Sequence, residues 1–229
     1  MKFSILKEHV EFFQKNGWVE FESCLSAHQV DSFNAAIDRA LASRALAEHR
    51  TLSRLSTDEN FAYGRDLWRA DPELSRWTCH RKWGEIVFEL LKKKPLRLGF
   101  DQLITMSSGS KLSAYSMSSK FLEQMTPLEN ITPIQGLVCG LILSLNQTER
   151  EGAFPPPALG SGIFFTPQTV LPLHLWKGET GCRFYLIAYT DSISYYQPQV
   201  GDLAADKLKQ LGYIIQDKLI DKFHPIIYR

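Results

Sequence analysis

The chain has 229 residues, 44% of them hydrophobic, and its 26 Lys and Arg against 25 Asp and Glu leave a net charge of +1. This is the make-up of an ordinary soluble protein, long enough for one large domain or two small ones. One domain is expected over 1–229: a mainly helical flank (1–94), a strand-rich core (95–190) and a C-terminal segment (191–229). The longest like-charge run, Lys92-Lys93-Lys94 before Pro95, is too short for a nucleic-acid footprint and better suited to closing a helix, where cations complement the dipole.

At the N-terminus, Lys2, Lys7 and Glu8 interrupt any apolar core of signal-peptide length, and no apolar run of 18 residues occurs anywhere. A cytoplasmic protein that engages neither membrane nor nucleic acid is therefore expected. Cys24, Cys79, Cys139 and Cys182 form no C-x-x-C pair, which offers neither a zinc ribbon nor a redox motif; free, buried thiols are the simplest reading.

In chain order, Ser4 can cap a helix with apolar positions Ile5, Leu6, Val10, Phe12 and Phe13, closed at Asn16-Gly17. Trp18 to Phe21 reads as extended. Ser26 followed by Gln29 has the form of a capping box, and Val30, Phe33, Ile37 and Leu41 mark one face of a helix running to about Leu46. Polar residues dominate 48–69, which predicts a loop region. Asp71-Pro72 supplies an N-cap and a first-turn proline, and helical spacing then continues through Trp77, Trp83, Ile86, Val87 and Leu90. After Pro95 the texture turns to strands, at Leu96–Met106, Gly136–Leu145, Ile163–Thr166 and Phe184–Thr190. The run Gly152 to Gly162, with Pro155-Pro156-Pro157, fits a rim loop, and Leu203, Leu208 and Leu211 space a last helix that Gly212 stops. Helices first and strands afterwards imply an α+β protein with an antiparallel sheet.

Chemistry concentrates between Gly160 and Tyr189. An apolar strand leads through Pro167 to His174, and nine residues later Arg183 opens a second apolar strand. In a small barrel that order can place an imidazole and a guanidinium in one mouth, the first able to hold a metal and the second a carboxylate. The plainer reading is a rim histidine and a structural arginine pair. Strand alternation puts Arg183, Tyr185 and Ile187 on one face and Phe184, Leu186 and Ala188 on the other. Arg183 is expected to point into the barrel and, if no internal carboxylate reaches it, to bind a small anion. Other motifs are missing: Gly160-Ser161-Gly162 lacks nucleophile-elbow spacing, and no P-loop or G-x-G-x-x-G occurs. Trp68, Trp77 and Trp83 read as packing residues, since no basic stripe accompanies them.

Three stretches resemble the phytanoyl-CoA dioxygenase-like branch of the iron(II), 2-oxoglutarate-dependent oxygenases. Phe12 to Phe21 leading to Cys24-Leu25-Ser26 and a long helix is similar to that family's opening, and Pro95 to Leu103 to the strand entering its double-stranded β-helix. Gly160 to Tyr189 resembles the closing strands that carry the distal metal histidine and the arginine gripping 2-oxoglutarate. The resemblance implies a jelly-roll, cupin-like core flanked by N-terminal helices.

The chain departs from the family where the first two iron ligands belong. A His-x-Asp or His-x-Glu pair should follow the strand ending near Met106, whereas Ser107 to Lys120 contains no histidine and no carboxylate. Tyr115 and Met117 fall near the expected positions, and neither gives iron(II) a hard, anionic environment. The literal His9-Val10-Glu11 lies on the first helix, where it is read as a solvated face. With His174 alone remaining, the triad is expected to be lost.

The expected function is therefore a pseudoenzyme with no metal and no cofactor, binding a small carboxylate or a protein partner. Its candidate ligand residues are Arg183, His174, Tyr115 and Trp176, with Lys177 beside them. Two alternatives stand next to it. One is an active oxygenase that uses iron(II) and 2-oxoglutarate through atypical ligands, His174 among them. The other is a structural or interaction protein whose pocket its own side chains fill.

Overall fold

The structure, a computed structural model, describes residues 4–49, 51, 57–106, 120, 124, 126–147, 158–173, 182–198 and 203–229. The first helix, α1 (Lys7–Asn16), begins three residues after the expected cap. Leu6 is the N-cap, and its N–H donates to the His9 ring at 3.1 Å. His9 also stacks edge-on against Phe21 at 5.0 Å, so it anchors the helix start. Gly17 closes α1 in the left-handed conformation (φ 77°), and its N–H reaches Phe13 O at 2.8 Å.

Strand β1 (Trp18–Phe21) follows, then α2 (Ala27–Ala47). The predicted capping box is present: Ser26 Oγ accepts from Gln29 N–H, and Gln29 Oε1 accepts from Ser26 N–H. Asp71 likewise caps α4 (Pro72–Thr78), accepting from Glu73 and Leu74 N–H at 2.8 and 2.9 Å. The helical pattern read through Leu90 is divided at Cys79-His80. The His80 ring accepts Lys82 N–H and starts α5 (Arg81–Leu91), which Lys92 closes at φ 54°.

Within the segment read as a loop, residues 57–69 are more ordered than their polar composition predicts. They hold α3 (Thr57–Tyr63) and a 3-10 turn (Leu67–Arg69), with Phe61, Arg65, Asp66 and Leu67 buried. Their backbone groups are satisfied from a distance: Arg44 of α2 donates to the carbonyls of Tyr63, Arg65 and Asp66. Such long-range bonds leave no periodic trace in the sequence.

The remaining strands are β2 (Leu96–Met106), β3 (Ile134–Ser144), β4 (Gly162–Phe165), β5 (Cys182–Tyr196) and β6 (Ile226–Tyr228), with α6 (Leu203–Gln210) between the last two. They form one six-stranded sheet in the order β1-β4-β3-β5-β2-β6, antiparallel at every pairing. The antiparallel α+β expectation holds. β5 runs six residues beyond its predicted end, and β6 carried no sequence signal.

Alternation along the strands divides the core. Leu141, Phe164, Tyr185, Ile187 and Tyr189 meet α1, α2, α4 and α5 through Phe13, Phe33, Ile37, Leu74 and Trp83. Phe100, Ile104, Ile142, Phe165, Phe184 and Leu186 face the other way, together with Phe61, Leu208 and Tyr213. Burying each such side chain contributes roughly 1.5–3 kcal/mol. Gly140 is required on this second face, because a Cβ there would lie 2.3 Å from Phe165 Cζ.

Cys24, Cys139 and Cys182 are buried and Cys79 half-buried, all free. Burial pushes the Cys24 and Cys139 thiols up to about 12 and Cys79 to about 11, which keeps them protonated and unreactive.

Candidate functional site

β5 carries Arg183, and the predicted alternation holds: Tyr185 and Ile187 lie on the helix-covered face, Phe184, Leu186 and Ala188 on the opposite one. The expectation that Arg183 points into the barrel is corrected. Its Nη2 donates to Asp38 Oδ1 of α2 at 2.6 Å, which places the guanidinium on the helix side. Period-2 spacing groups residues by face, and only the packing of α2 decides which face is covered.

The buried cation bound to the opposite face comes instead from 48–69. Arg65 bridges to Gln102 of β2, donates Nε–H to Gln102 Oε1 at 3.0 Å and stacks 3.9 Å from the Phe100 ring centroid. Gln102 Nε2 in turn donates to the carbonyls of Phe61 and Leu103. The amide and the aromatic ring together offset the cost of burying this charge.

On the helix face, Asp101 is fully buried. Its carboxylate accepts from Leu67 N–H at 2.8 Å and Trp68 N–H at 3.0 Å, so it holds the start of the 3-10 turn. The Tyr185 hydroxyl also donates to it and lies 3.2 Å from Thr78 Oγ1. Burial first, and neighbouring Asp66 second, raise Asp101 to about 7. Asp66 itself sits at φ 55°, 7% exposed, and its Oδ1 has no hydrogen-bond partner among the described residues.

A cavity of about 450 Å³ opens beside this turn. Arg44, Glu48, Tyr63, Asp66, Arg69 and Lys207 supply its polar wall, and Ala47, Ala62 and Leu211 its apolar one. Lys207 Nζ donates to Ala62 O at 3.1 Å, and burial lowers its pKa to about 8, with Arg44 acting in the same direction. Arg69 lies over the Trp68 ring and donates to Phe223 O. His224 ties the C-terminal segment to β2: its Nδ1–H reaches Gly99 O at 2.9 Å and Leu98 O at 3.2 Å. Those carbonyls lie where the β2–β5 register shifts between Leu98 and Phe100.

Of the residues singled out from the sequence, Tyr115, Met117, His174, Trp176 and Lys177 lie outside the described residues, and Arg183 pairs with Asp38. Among the described residues no three His, Cys, Asp or Glu side chains come together as a metal site, and no helix is long and apolar enough to cross a membrane. Asp101, Arg65, Lys207 and His224 escaped the sequence reading. Asp101 and Gln102 interrupting an apolar strand were a usable signal, since a carboxylate in a buried strand needs donors from elsewhere.

No family model matches the chain, and no curated protein does. Solved structures do. The non-heme alpha ketoglutarate dependent carbocyclase SnoK from nogalamycin biosynthesis superposes with a TM-score of 0.69 at 16% identity, covering 97% of this chain and 96% of its own. The epimerase SnoN, in complex with Fe3+, alpha ketoglutarate and nogalamycin RO, gives 0.65 at 15% identity over 96% and 98%. HygX from Streptomyces hygroscopicus, with nickel and 2-oxoglutarate bound, gives 0.53 at 15% over 94% and 98%. The chain therefore has an iron/2-oxoglutarate oxygenase-like fold, a jelly-roll core with flanking helices.

Proposed function

We propose that this chain uses an oxygenase-like fold to bind a small molecule or a partner protein, and that it catalyses no oxidation. One observation carries the reading: the row of β5 opposite α1, α2, α4 and α5 is Phe184, Leu186 and Ala188, while Arg183 is turned away to Asp38. A carboxylate clamp needs a guanidinium on that row, and a metal cradle needs imidazole or carboxylate groups near it. Among the described residues, the buried amide and guanidinium against that face, Gln102 and Arg65, bond each other. That pairing supports the reading, as does the run Ser107 to Lys120, whose sequence supplies no histidine or acid. Under this reading Arg183 grips a carboxylate only by exchanging it for Asp38.

The likeness to SnoK, SnoN and HygX favours a second reading, an active 2-oxoglutarate-dependent oxygenase with atypical ligands that include His174. Metal analysis of protein purified without added metal separates the two, followed by melting curves with iron(II) and 2-oxoglutarate. The binding reading expects iron far below one per chain and an unmoved curve. Stoichiometric iron that survives gel filtration and is lost in His174→Ala would establish the oxygenase.

A further inference from the structure

We infer that Lys207 is a carbonyl-capturing amine: in the cavity between α2, α3 and α6 it forms an imine with a small aldehyde or ketone that carries an anionic group. The site is separate from the β5 row discussed above and stands whether or not that row is catalytic.

Three features of the cavity support this. First, among the described residues Lys207 makes no ion pair, and its one hydrogen bond is Nζ to Ala62 O at 3.1 Å. A neutral amine held by one N–H keeps its lone pair available, whereas an ammonium paired with a carboxylate has none to offer. Second, the charged groups around it are Arg44, Arg65, Asp66 and Glu48, and burial outweighs them all in lowering its pKa. With a pKa of about 8, about a quarter of Lys207 is neutral at pH ~7.5, against roughly one in a thousand for an ordinary lysine. Third, the cavity holds about 450 Å³ beside this amine and is walled by Arg69 and Arg44 as well as by Ala47, Ala62 and Leu211. That volume lies in the range of small-molecule sites, and the guanidinium of Arg69 suits a phosphate or carboxylate.

The chemistry balances without an external oxidant or reductant. Lys207 loses its ammonium proton to solvent, and the nitrogen lone pair forms a bond to the carbonyl carbon while the C–O π pair moves to oxygen. The oxygen leaves as water with the two remaining amine hydrogens, giving the C=N bond.

The test uses the full chain with one equivalent of pyridoxal 5′-phosphate at pH ~7.5, trapping with borohydride and locating the adduct by peptide mass. Parallel arms use pyridoxal, which lacks the phosphate, the Lys207→Arg variant and the Arg69→Gln variant. Expected is a single main adduct on Lys207, formed at least about tenfold faster than on any other lysine. It should be absent in Lys207→Arg, with labelling slowed severalfold when either the phosphate or Arg69 is removed. Circular dichroism confirms that each variant is folded. If the label spreads over exposed lysines such as Lys93, or prefers half-buried Lys82, the inference is overturned. Equal rates for pyridoxal and its phosphate on Lys207 would overturn the anionic part.

Discussion

Arg183 Nη2 and Asp38 Oδ1, 2.6 Å apart, join the start of β5 to the middle of α2. The arginine side chain is 24% exposed and the aspartate 64%, so water screens much of the attraction. Pairs of this kind contribute about 0–1 kcal/mol. Arg183→Met and Asp38→Asn should each cost less than about 1 kcal/mol in urea unfolding, with a coupling of at most about 1 kcal/mol in the double variant. A loss of several kcal/mol from Arg183→Met alone would show that the guanidinium holds more than Asp38.

This pair also marks how far the sequence could be read. Local signals mostly held: Ser26 with Gln29, Asp71 with Pro72, and Gly17 each act on groups within three or four residues and perform the role their spacing predicts, whereas Leu6 and not Ser4 caps α1. Face alternation along β5 was legible too. The side toward which Arg183 turns was not, because it depends on α2, 145 residues away. The order within 57–69 was hidden for the same reason, since its carbonyls are met by Arg44 and Lys207.

Gly140 and Phe165 face each other across β3 and β4, and an added Cβ would sit 2.3 Å from the ring. Phe165 is fully buried and has no room to withdraw. Gly140→Ala should lower stability by about 1–3 kcal/mol, the usual cost of overpacking a core. Combining it with Phe165→Leu should recover part of that loss, measured as non-additivity in denaturant unfolding. Strict additivity would place the strain elsewhere.

Asp101 should make the protein less stable as pH rises. Its folded value is raised to about 7 from about 3.9 in an unfolded chain. Between those values the unfolded chain has lost its proton while the folded one retains it, so the contribution of Asp101 to stability falls with rising pH until about 7. Asp101→Asn removes the charge and keeps an acceptor oxygen for one of the two N–H groups, Leu67 or Trp68, which bond different carboxylate oxygens in the wild type. The stability of the wild type relative to this variant should fall across pH ~4–7, and a difference in melting temperature that does not change with pH would rule Asp101 out.

His224 should act in the opposite sense. Burial lowers it to about 4, with Arg69 adding to the effect and Asp66 and the Leu98 and Gly99 carbonyls opposing it. An unfolded histidine titrates near 6.5, so between about 6.5 and 4 the unfolded chain binds a proton that the folded chain refuses. Its contribution is complete above about 6.5 and is lost as pH falls toward 4, on the order of 3 kcal/mol in all. In the wild type this loss offsets the gain from protonating Asp101 over much of the same window. The single variants should therefore separate the two slopes. Asp101→Asn, which leaves His224 in place, should lose stability on acidification below pH ~6.5. His224→Gln retains a side-chain N–H for the Gly99 carbonyl and leaves Asp101 in place, so it should gain stability over the same range. Thermal unfolding of both variants in steps from pH ~4.5 to ~7.5 reads the two slopes directly, and slopes of the same sign would refute the assignment of either group.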